Sequence, residues 1–294
     1  MILPRSNKAL QINPPLGNQA LSVWGSDWLW AVTAVFVLEF LVFFGLTFVA
    51  RSREKIFHYL FAVTLLVGSI AYYAMASDLA WDVISQANET QNGTRQIFFA
   101  KYVYWVVSFP VVTIALGLVS GVSWASILYN VTLSWVWVLS YLFSAYTAST
   151  YKWGFYAFGT AAWLLLAYST LFEGRRSLAT RDFGPAHSHH LLLAAWTNLL
   201  WLNYPIAFGI SDGGNRIGVT PSFIYFGILD LLMVPVLAVA FLFLARQWDY
   251  GRMNIAFTQY GRVRASEGTY PEKSTTATGP AGGPVTGEPA PAAV

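Results

Sequence analysis

Residues 226–240, FGILDLLMVPVLAVA, form an apolar stretch with one acid, Asp230, near its start. Val234 stands one helical turn later, and Pro235 follows it. A carboxylate in such a segment needs hydrogen-bond donors or a cation, because an unpaired buried charge is costly. The stretch therefore predicts a membrane-spanning helix with a polar contact near its middle. It also predicts a kink at Pro235, where a backbone hydrogen bond is lost.

The whole chain has the composition of a membrane protein. Hydrophobic residues make up 56% of its 294 residues and charged residues 11%, which is more apolar than a soluble domain of this size requires. The 17% aromatic share suits bilayer interfaces and pockets between helices. The lack of cysteine excludes disulfides and thiol catalysis. The scattered basic residues form no face for nucleic acid, so no nucleic-acid partner is expected.

Seven apolar segments, each close to the roughly 20 residues that cross a bilayer, divide the chain. We predict spans at about 28–50, 56–77, 97–120, 124–145, 153–173, 188–210 and 221–246. Ser26 or Asp27 is the predicted N-cap of the first span. The predicted domains are an N-terminal segment (1–26), a seven-helix domain (27–250), and a juxtamembrane segment with a disordered tail rich in Pro, Gly, Ala, Thr and Ser (251–294).

Lysine and arginine predict the orientation in the membrane. One side holds ten of them in its loops and in the segment after the last span, and the other side holds five. Because basic residues favour the cytoplasmic side, we expect the N-terminus outside and the C-terminus in the cytoplasm. The glycosylation sequons at Asn88 and Asn92 then lie in the longest outside loop. The segment GISDGGN (209–215) is expected to be a turn on the same side.

Three ionisable residues fall within the spans: Glu39, Lys101 and Asp230. We expect Lys101 to be the partner of Asp230, with Tyr72 and Tyr204 donating hydrogen bonds to the carboxylate. Two interpretations stay open: a structural tie between helices, or a site for ligand binding or proton movement.

Other chemistry has little support in the sequence. The run HSHH (187–190) has neither a recognised ligand spacing nor an accompanying acid or cysteine, so no metal site is predicted. No nucleophile elbow, phosphate-binding loop or pair of acids on one face is present, so we predict that the protein is not an enzyme.

Several motifs resemble those of the microbial opsins, the bacteriorhodopsin-like seven-helix proteins, and their fungal branch in particular, over about residues 25–250. In the third span KYVYWVVSFPVV is similar to the helix-C motif, which implies that Trp105 and Pro110 shape a retinal pocket. In the sixth span WLNYPIAF matches the helix-F motif through Trp201, Tyr204 and Pro205.

Three further segments extend the resemblance. KWGFYAFG resembles the fungal helix-E start, where Trp153 or Tyr156 would form a pocket wall. AYYAMASDLAW resembles the fungal helix-B pattern, in which Tyr72 hydrogen-bonds the helix-G aspartate, here Asp230. The implied fold is an all-α bundle of seven transmembrane helices of the microbial rhodopsin type.

The departures from the opsin pattern bear on function. The resemblance puts the retinal-binding lysine at Val234, and the last span contains no lysine. It puts the proton acceptor of pumps at Tyr104, the cytoplasmic proton donor at Ala115, and the helix-C arginine at Lys101. Covalent retinal and light-driven pumping are therefore not expected, and no cofactor is predicted.

The resemblance is strongest to opsin-related proteins that lack the retinal lysine, including plasma-membrane heat-shock proteins of yeasts. It implies a stress-linked protein of the fungal plasma membrane that acts by interaction. Its partners would be membrane lipids and a plasma-membrane proton ATPase or another membrane protein, and a homo-oligomer is compatible with the relatives. The alternatives are a binder of a small apolar ligand or non-covalent retinal, and a passive proton or ion path through Glu39, Lys101 and Asp230.

Overall fold

The computed structural model describes residues 7–50, 55–86, 93–180, 184–251, 253, 255, 257–258 and 261–262. Its α-helices are α1 (Lys8–Ile12), α2 (Val23–Val49), α3 (Lys55–Ala76), α4 (Phe99–Ser120), α5 (Trp124–Tyr146), α6 (Lys152–Tyr168), α7 (Gly174–Ala179), α8 (Ala186–Phe208), α9 (Val219–Met233) and α10 (Pro235–Ala245). Its strands are β1 (Trp81–Gln86), β2 (Gly93–Phe98), β3 (Phe257–Thr258) and β4 (Gly261–Arg262).

Seven helical segments within the described residues are long and apolar enough to cross a membrane, as predicted. They are Val23–Val49, Lys55–Ala76, Phe99–Ser120, Trp124–Tyr146, Lys152–Ala179, Ala186–Gly213 and Val219–Ala245. The fifth joins α6 to α7 through the π-helical turn Ser169–Glu173, and the sixth extends α8 through the π-helical turn Gly209–Gly213. α4 is central, and most of its side chains are buried against α3, α5 and α8.

The first span begins earlier than predicted. Its N-cap is Ser22, whose hydroxyl accepts the Gly25 amide at 3.2 Å. The predicted caps were wrong, because Ser26 is buried inside the helix and donates to the Ala76 carbonyl at 2.6 Å. An N-cap hydroxyl satisfies one of the free amides of the first turn, which explains why the helix starts at Val23.

An antiparallel hairpin of β1 and β2 covers one end of the bundle, which we call the hairpin end. Trp81 pairs with Phe98 and Gln86 with Gly93. The N-terminal segment lies against this hairpin, since the Gln96 side chain accepts the Leu21 amide at 2.8 Å and Asn13 donates to the Ser77 carbonyl at 2.9 Å. The opposite end, which carries the end of α10, is called the tail end.

The last span breaks at the predicted place. α9 ends at Met233, Val234 has φ −109°, and α10 starts at Pro235. Proline has no amide hydrogen and its ring crowds the preceding turn, so the helix cannot run through it without a break. The Val234 amide still donates to the Asp230 carbonyl at 3.1 Å, which keeps the two halves nearly continuous.

Two groups of predictions fall largely on undescribed residues. Asn88 and Asn92, the predicted glycosylation sites, lie outside the described residues. So does most of the predicted tail, apart from the short pairing of Phe257 with Arg262 and of Thr258 with Gly261.

Candidate functional site

Asp230 is completely buried at the centre of the bundle and accepts three hydrogen bonds. Tyr72 of α3 donates to one carboxylate oxygen at 2.5 Å. Tyr204 of α8 and Trp105 of α4 donate to the other, at 2.7 and 3.0 Å. The predicted contacts with the two tyrosines are therefore confirmed, and the indole of Trp105 is an additional donor. Three donors satisfy much of the carboxylate's hydrogen-bonding capacity without a cation.

Lys101 does not pair with Asp230, so that prediction was wrong. Its ammonium donates to Asp212 at 2.5 Å, on the hairpin side of the bundle. Asp212 lies in the π-helical turn Gly209–Gly213, which continues the sixth span instead of forming the expected turn. This additional helical turn places Asp212 inside the end of the bundle, where it forms an ion pair with Lys101.

Asp212 belongs to a buried charge cluster that sequence reasoning missed. Arg95 of β2, fully buried, approaches it at 3.3 Å, and Tyr102 donates to it at 2.8 Å. Arg95 also donates to Asn215 and to the Ile217 carbonyl, at 3.0 and 2.7 Å. The only signal for this cluster in the sequence was an acid just beyond an apolar span. The two cations share one carboxylate, and the cluster ties the hairpin to the ends of α4 and α8.

Aromatic rings fill the space beside Asp230. The predicted pocket residues Trp105, Trp201 and Tyr204 are all buried there, and Phe109 contacts each of them, with centroid distances of 5.9, 5.8 and 5.0 Å. Phe109 also lies 4.9 Å from Trp137 of α5. Phe109 is therefore the hub of this aromatic cluster, and sequence reasoning missed both Phe109 and Trp137.

The prediction for helix E was wrong for one residue and partly right for the other. Trp153 is 39% exposed and has a ring contact with Tyr156 at 5.6 Å, because the first turn of α6 directs it away from the cluster. Tyr156 is half-buried, stacks on Tyr141 at 5.4 Å, and donates to the Pro205 carbonyl at 3.2 Å. Trp137 occupies the cluster instead of Trp153. Pro110 and Pro205 are buried within α4 and α8, as expected for their motifs.

The other side of Asp230 is packed by Phe36 and Tyr104. Phe36 stacks on Tyr72 at 5.1 Å and meets Tyr104 edge-on at 5.5 Å. Gly68 makes this approach possible, since a Cβ there would lie 2.5 Å from the Phe36 ring. Tyr104 is fully buried, and its hydroxyl has no hydrogen-bond partner among the described residues.

The three histidines of HSHH have different surroundings. His187 is exposed, His189 accepts a hydrogen bond from Trp248 at 3.0 Å, and His190 is buried against Gly174. Within the described part of the chain, no group of three metal-ligating side chains is present.

Asp78 is a buried acid between the spans, at the hairpin end. It accepts a hydrogen bond from Gln96 at 2.7 Å, while its second oxygen has no partner among the described residues. Burial raises the pKa of Asp78 to about 6, and the Gln96 bond opposes that rise only in part.

The sequence family follows from a match over nearly the whole helical region. Residues 25–247 match the family described as bacteriorhodopsin-like protein. The chain belongs to this family. This opsin-like chain is 36% identical over 283 residues to protein FDD123 of Trametes versicolor, covering 94% of the chain and 99% of that protein.

Two further relatives show the range of the family. The opsin-like chain is 32% identical over 256 residues to the 30 kDa heat shock protein of Saccharomyces cerevisiae, covering 78% of the chain and 75% of that protein. Its fold is similar to that of the light-driven proton pump LR (Mac) from Leptosphaeria maculans. The TM-score is 0.72 at 25% identity, over 76% of this chain and 97% of that one. The chain is thus an integral, multi-pass opsin-like protein.

Proposed function

We propose that this protein is an opsin-related membrane protein that works without covalent retinal and without light-driven pumping. The observation that carries the proposal is the residue one turn after Asp230, which is Val234, in a last span that contains no lysine. A Schiff base with retinal requires an amine, and a valine side chain cannot form one. Val234 is fully buried, so this position faces the interior of the bundle.

The aromatic cluster supports the same proposal. In an opsin, the matching tryptophans would enclose the chromophore. Here the ring of Phe109 lies within 6 Å of both Trp105 and Trp201 and also contacts Tyr204. The ring of Phe109 therefore lies among the side chains that the resemblance assigns to the retinal pocket.

The environment of Asp230 favours a structural role. Its contacts join α3, α4, α8 and α9 through Tyr72, Trp105 and Tyr204. The resemblance puts Tyr104 at the position of the proton acceptor of pumps and Ala115 at that of the proton donor. Neither residue is a carboxylate, so the two groups that transfer the proton in a pump are missing. We infer that Asp230 has a structural role, in which its hydrogen bonds hold these four helices together.

Retinal addition tests the proposal directly. We expect that all-trans retinal added to the purified full-length protein gives no red-shifted visible band and no borohydride-reducible adduct. The Leptosphaeria maculans pump, treated in parallel, shows that the procedure detects a pigment. A stable, reducible pigment on this chain would overturn the proposal.

The biological role is proposed to be stress-linked interaction at the plasma membrane. The support is the similarity to a relative named as a heat shock protein. The partner would be a plasma-membrane proton ATPase or another membrane protein, bound through the loops and tail expected in the cytoplasm. Crosslinking and pull-down from stressed and unstressed membranes tests this: enrichment of the ATPase under stress supports it, and equal recovery with an unrelated seven-helix protein contradicts it.

A passive proton path is the second candidate, and one observation favours it. The buried polar atoms Glu39 Oε1, Tyr104 Oη and Ser108 Oγ have no hydrogen-bond partner among the described residues, and buried polar groups of this kind are commonly satisfied by water. Proton flux in liposomes that disappears in Asp230→Asn would support this path. Flux no greater than in protein-free liposomes would exclude it. A small apolar ligand in the residual opsin pocket is the third alternative, and it would bind against the cluster around Phe109.

A further inference from the structure

A cavity of about 170 Å³ lies at the tail end of the bundle, where α2 and α10 finish and α3 begins. Its lining residues are Leu46, Val49, Ala50, His58, Leu242, Ala245, Arg246 and Tyr250. It lies at the opposite end of the bundle from the Asp212 cluster and shares no residue with the Asp230 site. It is therefore a separate feature of the fold.

The cavity has a polar rim and an apolar floor. Arg246 is exposed at the rim, 5.3 Å from the ring of Phe243, and makes no ion pair with a carboxylate within the described part of the chain. The imidazole of His58 and the phenol of Tyr250 line the same space. The guanidinium is always charged and carries several N–H donors in a planar fork, so the rim favours an anion with several acceptor oxygens.

The flanking sequence adds positive charge. Residues 50–58 contain three basic and one acidic residue, and residues 245–252 contain two basic and one acidic. The sequence on both sides of the cavity-lining residues is therefore net basic, and net basic sequences next to a membrane span attract anionic headgroups.

The cavity lies at the end of a span that is longer than the hydrocarbon core. α2 has 27 residues, and at about 1.5 Å per residue such a helix is about 40 Å long, against a hydrocarbon core of about 30 Å. α2 is therefore about 10 Å longer than the hydrocarbon core, so at least one of its ends extends into the polar layer. Beside the cavity, Phe48, Val49 and Phe243 are 73, 82 and 58% exposed, which is the surface that lipid chains cover.

The floor limits how far a ligand can enter. Beneath the cavity lies a second, smaller space, whose lining includes Phe43, Phe57, Phe61 and Phe241. Its volume is about 10 Å³, which holds roughly one water at most. Pockets that bind drug-sized ligands have volumes of about 300–1,000 Å³. The cavity therefore fits a compact anionic group whose apolar remainder stays outside, along α2 and α10.

We propose that this cleft binds the phosphate headgroup of an anionic phospholipid, with Arg246 as the charged contact. The lipid's chains lie on the exposed apolar faces of α2 and α10. The proposed site does not depend on whether the protein binds retinal. It would hold one specific lipid at the tail end, in addition to the lipids of the surrounding bilayer.

The test uses the full-length protein exchanged into vesicles of phosphatidylcholine and phosphatidylserine, then extracted, with co-purifying lipid quantified by mass spectrometry. We expect phosphatidylserine to be enriched over its share of the vesicles. Arg246→Gln should lower that enrichment about tenfold, the change expected for the loss of one charge-assisted hydrogen bond. Leu242→Trp, which fills the cavity without changing charge, should lower it as well.

Arg175→Gln is the matched control, because Arg175 is exposed at the same end on α7 and does not line the cavity. It should leave the enrichment unchanged. The proposal is overturned if phosphatidylserine is not enriched, if the two arginine variants behave alike, or if inorganic phosphate at millimolar concentration displaces the lipid. Thermal unfolding in phosphatidylcholine alone verifies that each variant is folded, and the two cavity variants provide independent tests.

Discussion

Truncation of Phe109 tests whether the aromatic cluster is a packed core or a ligand pocket with a mobile gate. The Phe109 ring lies within 6 Å of the rings of Trp105, Trp137, Trp201 and Tyr204. Phe109→Ala removes this hub and leaves its neighbours held by their own helices. We expect a lasting cavity, because packed interiors relax only partly around a missing side chain.

The cost follows from the volume removed. In a membrane protein the unfolded helices stay in lipid, so the lost transfer from water contributes little and the cavity dominates. A void of about 100 Å³ at roughly 24 cal/mol per Å³ gives about 2.4 kcal/mol of destabilisation. The four lost ring contacts, at a low value of about 0.5 kcal/mol each, add about 2 kcal/mol, so the total loss of stability should be about 4–5 kcal/mol.

The assay is thermal unfolding of the purified protein in detergent, with and without indole. Phe109→Ala should unfold at a clearly lower temperature than the unaltered protein, and indole should restore part of the loss by filling the void. Indole should leave the unaltered protein unchanged. Phe158→Ala is the matched control, since Phe158 is 70% exposed on α6 and its loss opens no interior space.

Two results would refute this reasoning. If Phe109→Ala is no less stable than Phe158→Ala, Phe109 does not hold the cluster together. If indole or retinal stabilises the unaltered protein as much as it stabilises Phe109→Ala, the ring swings aside and the cluster is a true ligand pocket, which would favour the alternative function.

Three further predictions concern buried polar groups. Tyr72→Phe removes one donor from the buried carboxylate of the last span and should cost about 1–3 kcal/mol in thermal unfolding, as expected for an unsatisfied buried acceptor. Asp212→Asn leaves two buried cations without their carboxylate and should cost about 3–5 kcal/mol, measured in the same way. Asp78→Asn should remove a pH dependence: its pKa is raised to about 6 by burial, so the folded state holds a proton that the unfolded state releases. The stability of the unaltered protein should therefore fall, relative to the variant, as pH rises from about 4 to 6.

Each of these has a control and a contrary result. Tyr73→Phe, at a 54% exposed position next to Tyr72, should change the stability little. An equal loss of stability in both variants would show that the hydrogen bond from Tyr72 to Asp230 does not stabilise the protein. Asp82→Asn, at an exposed hairpin position, is the control for Asp212→Asn, and similar losses would contradict the buried cluster. A constant difference between Asp78→Asn and the unaltered protein from pH 4 to 7 would show that Asp78 does not titrate there. The substitution suits its backbone, since φ at Asp78 is +55°, a region that asparagine tolerates.

What the sequence by itself determined was set by local chemistry. The seven spans follow from runs of apolar residues, the break before Pro235 follows from a missing amide hydrogen, and the absence of an amine at Val234 follows from residue identity alone. Tyr72 and Tyr204 were matched to Asp230 through motif order in neighbouring helices, and that contact is present.

What only the tertiary structure decided was the partner of each buried group. Lys101 lies on a span next to Asp230, but the π-helical turn at the end of α8 brings Asp212 closer, and a charge in a low-dielectric interior pairs with the carboxylate that it can reach. Trp137 and Trp153 are both tryptophans in apolar spans, and the sequence does not distinguish their orientations. The rotation of α5 turns Trp137 into the aromatic cluster, and the rotation of α6 turns Trp153 outward. Partners of this kind depend on the azimuth of each helix, which is fixed by packing among all seven spans and cannot be inferred from any one of them.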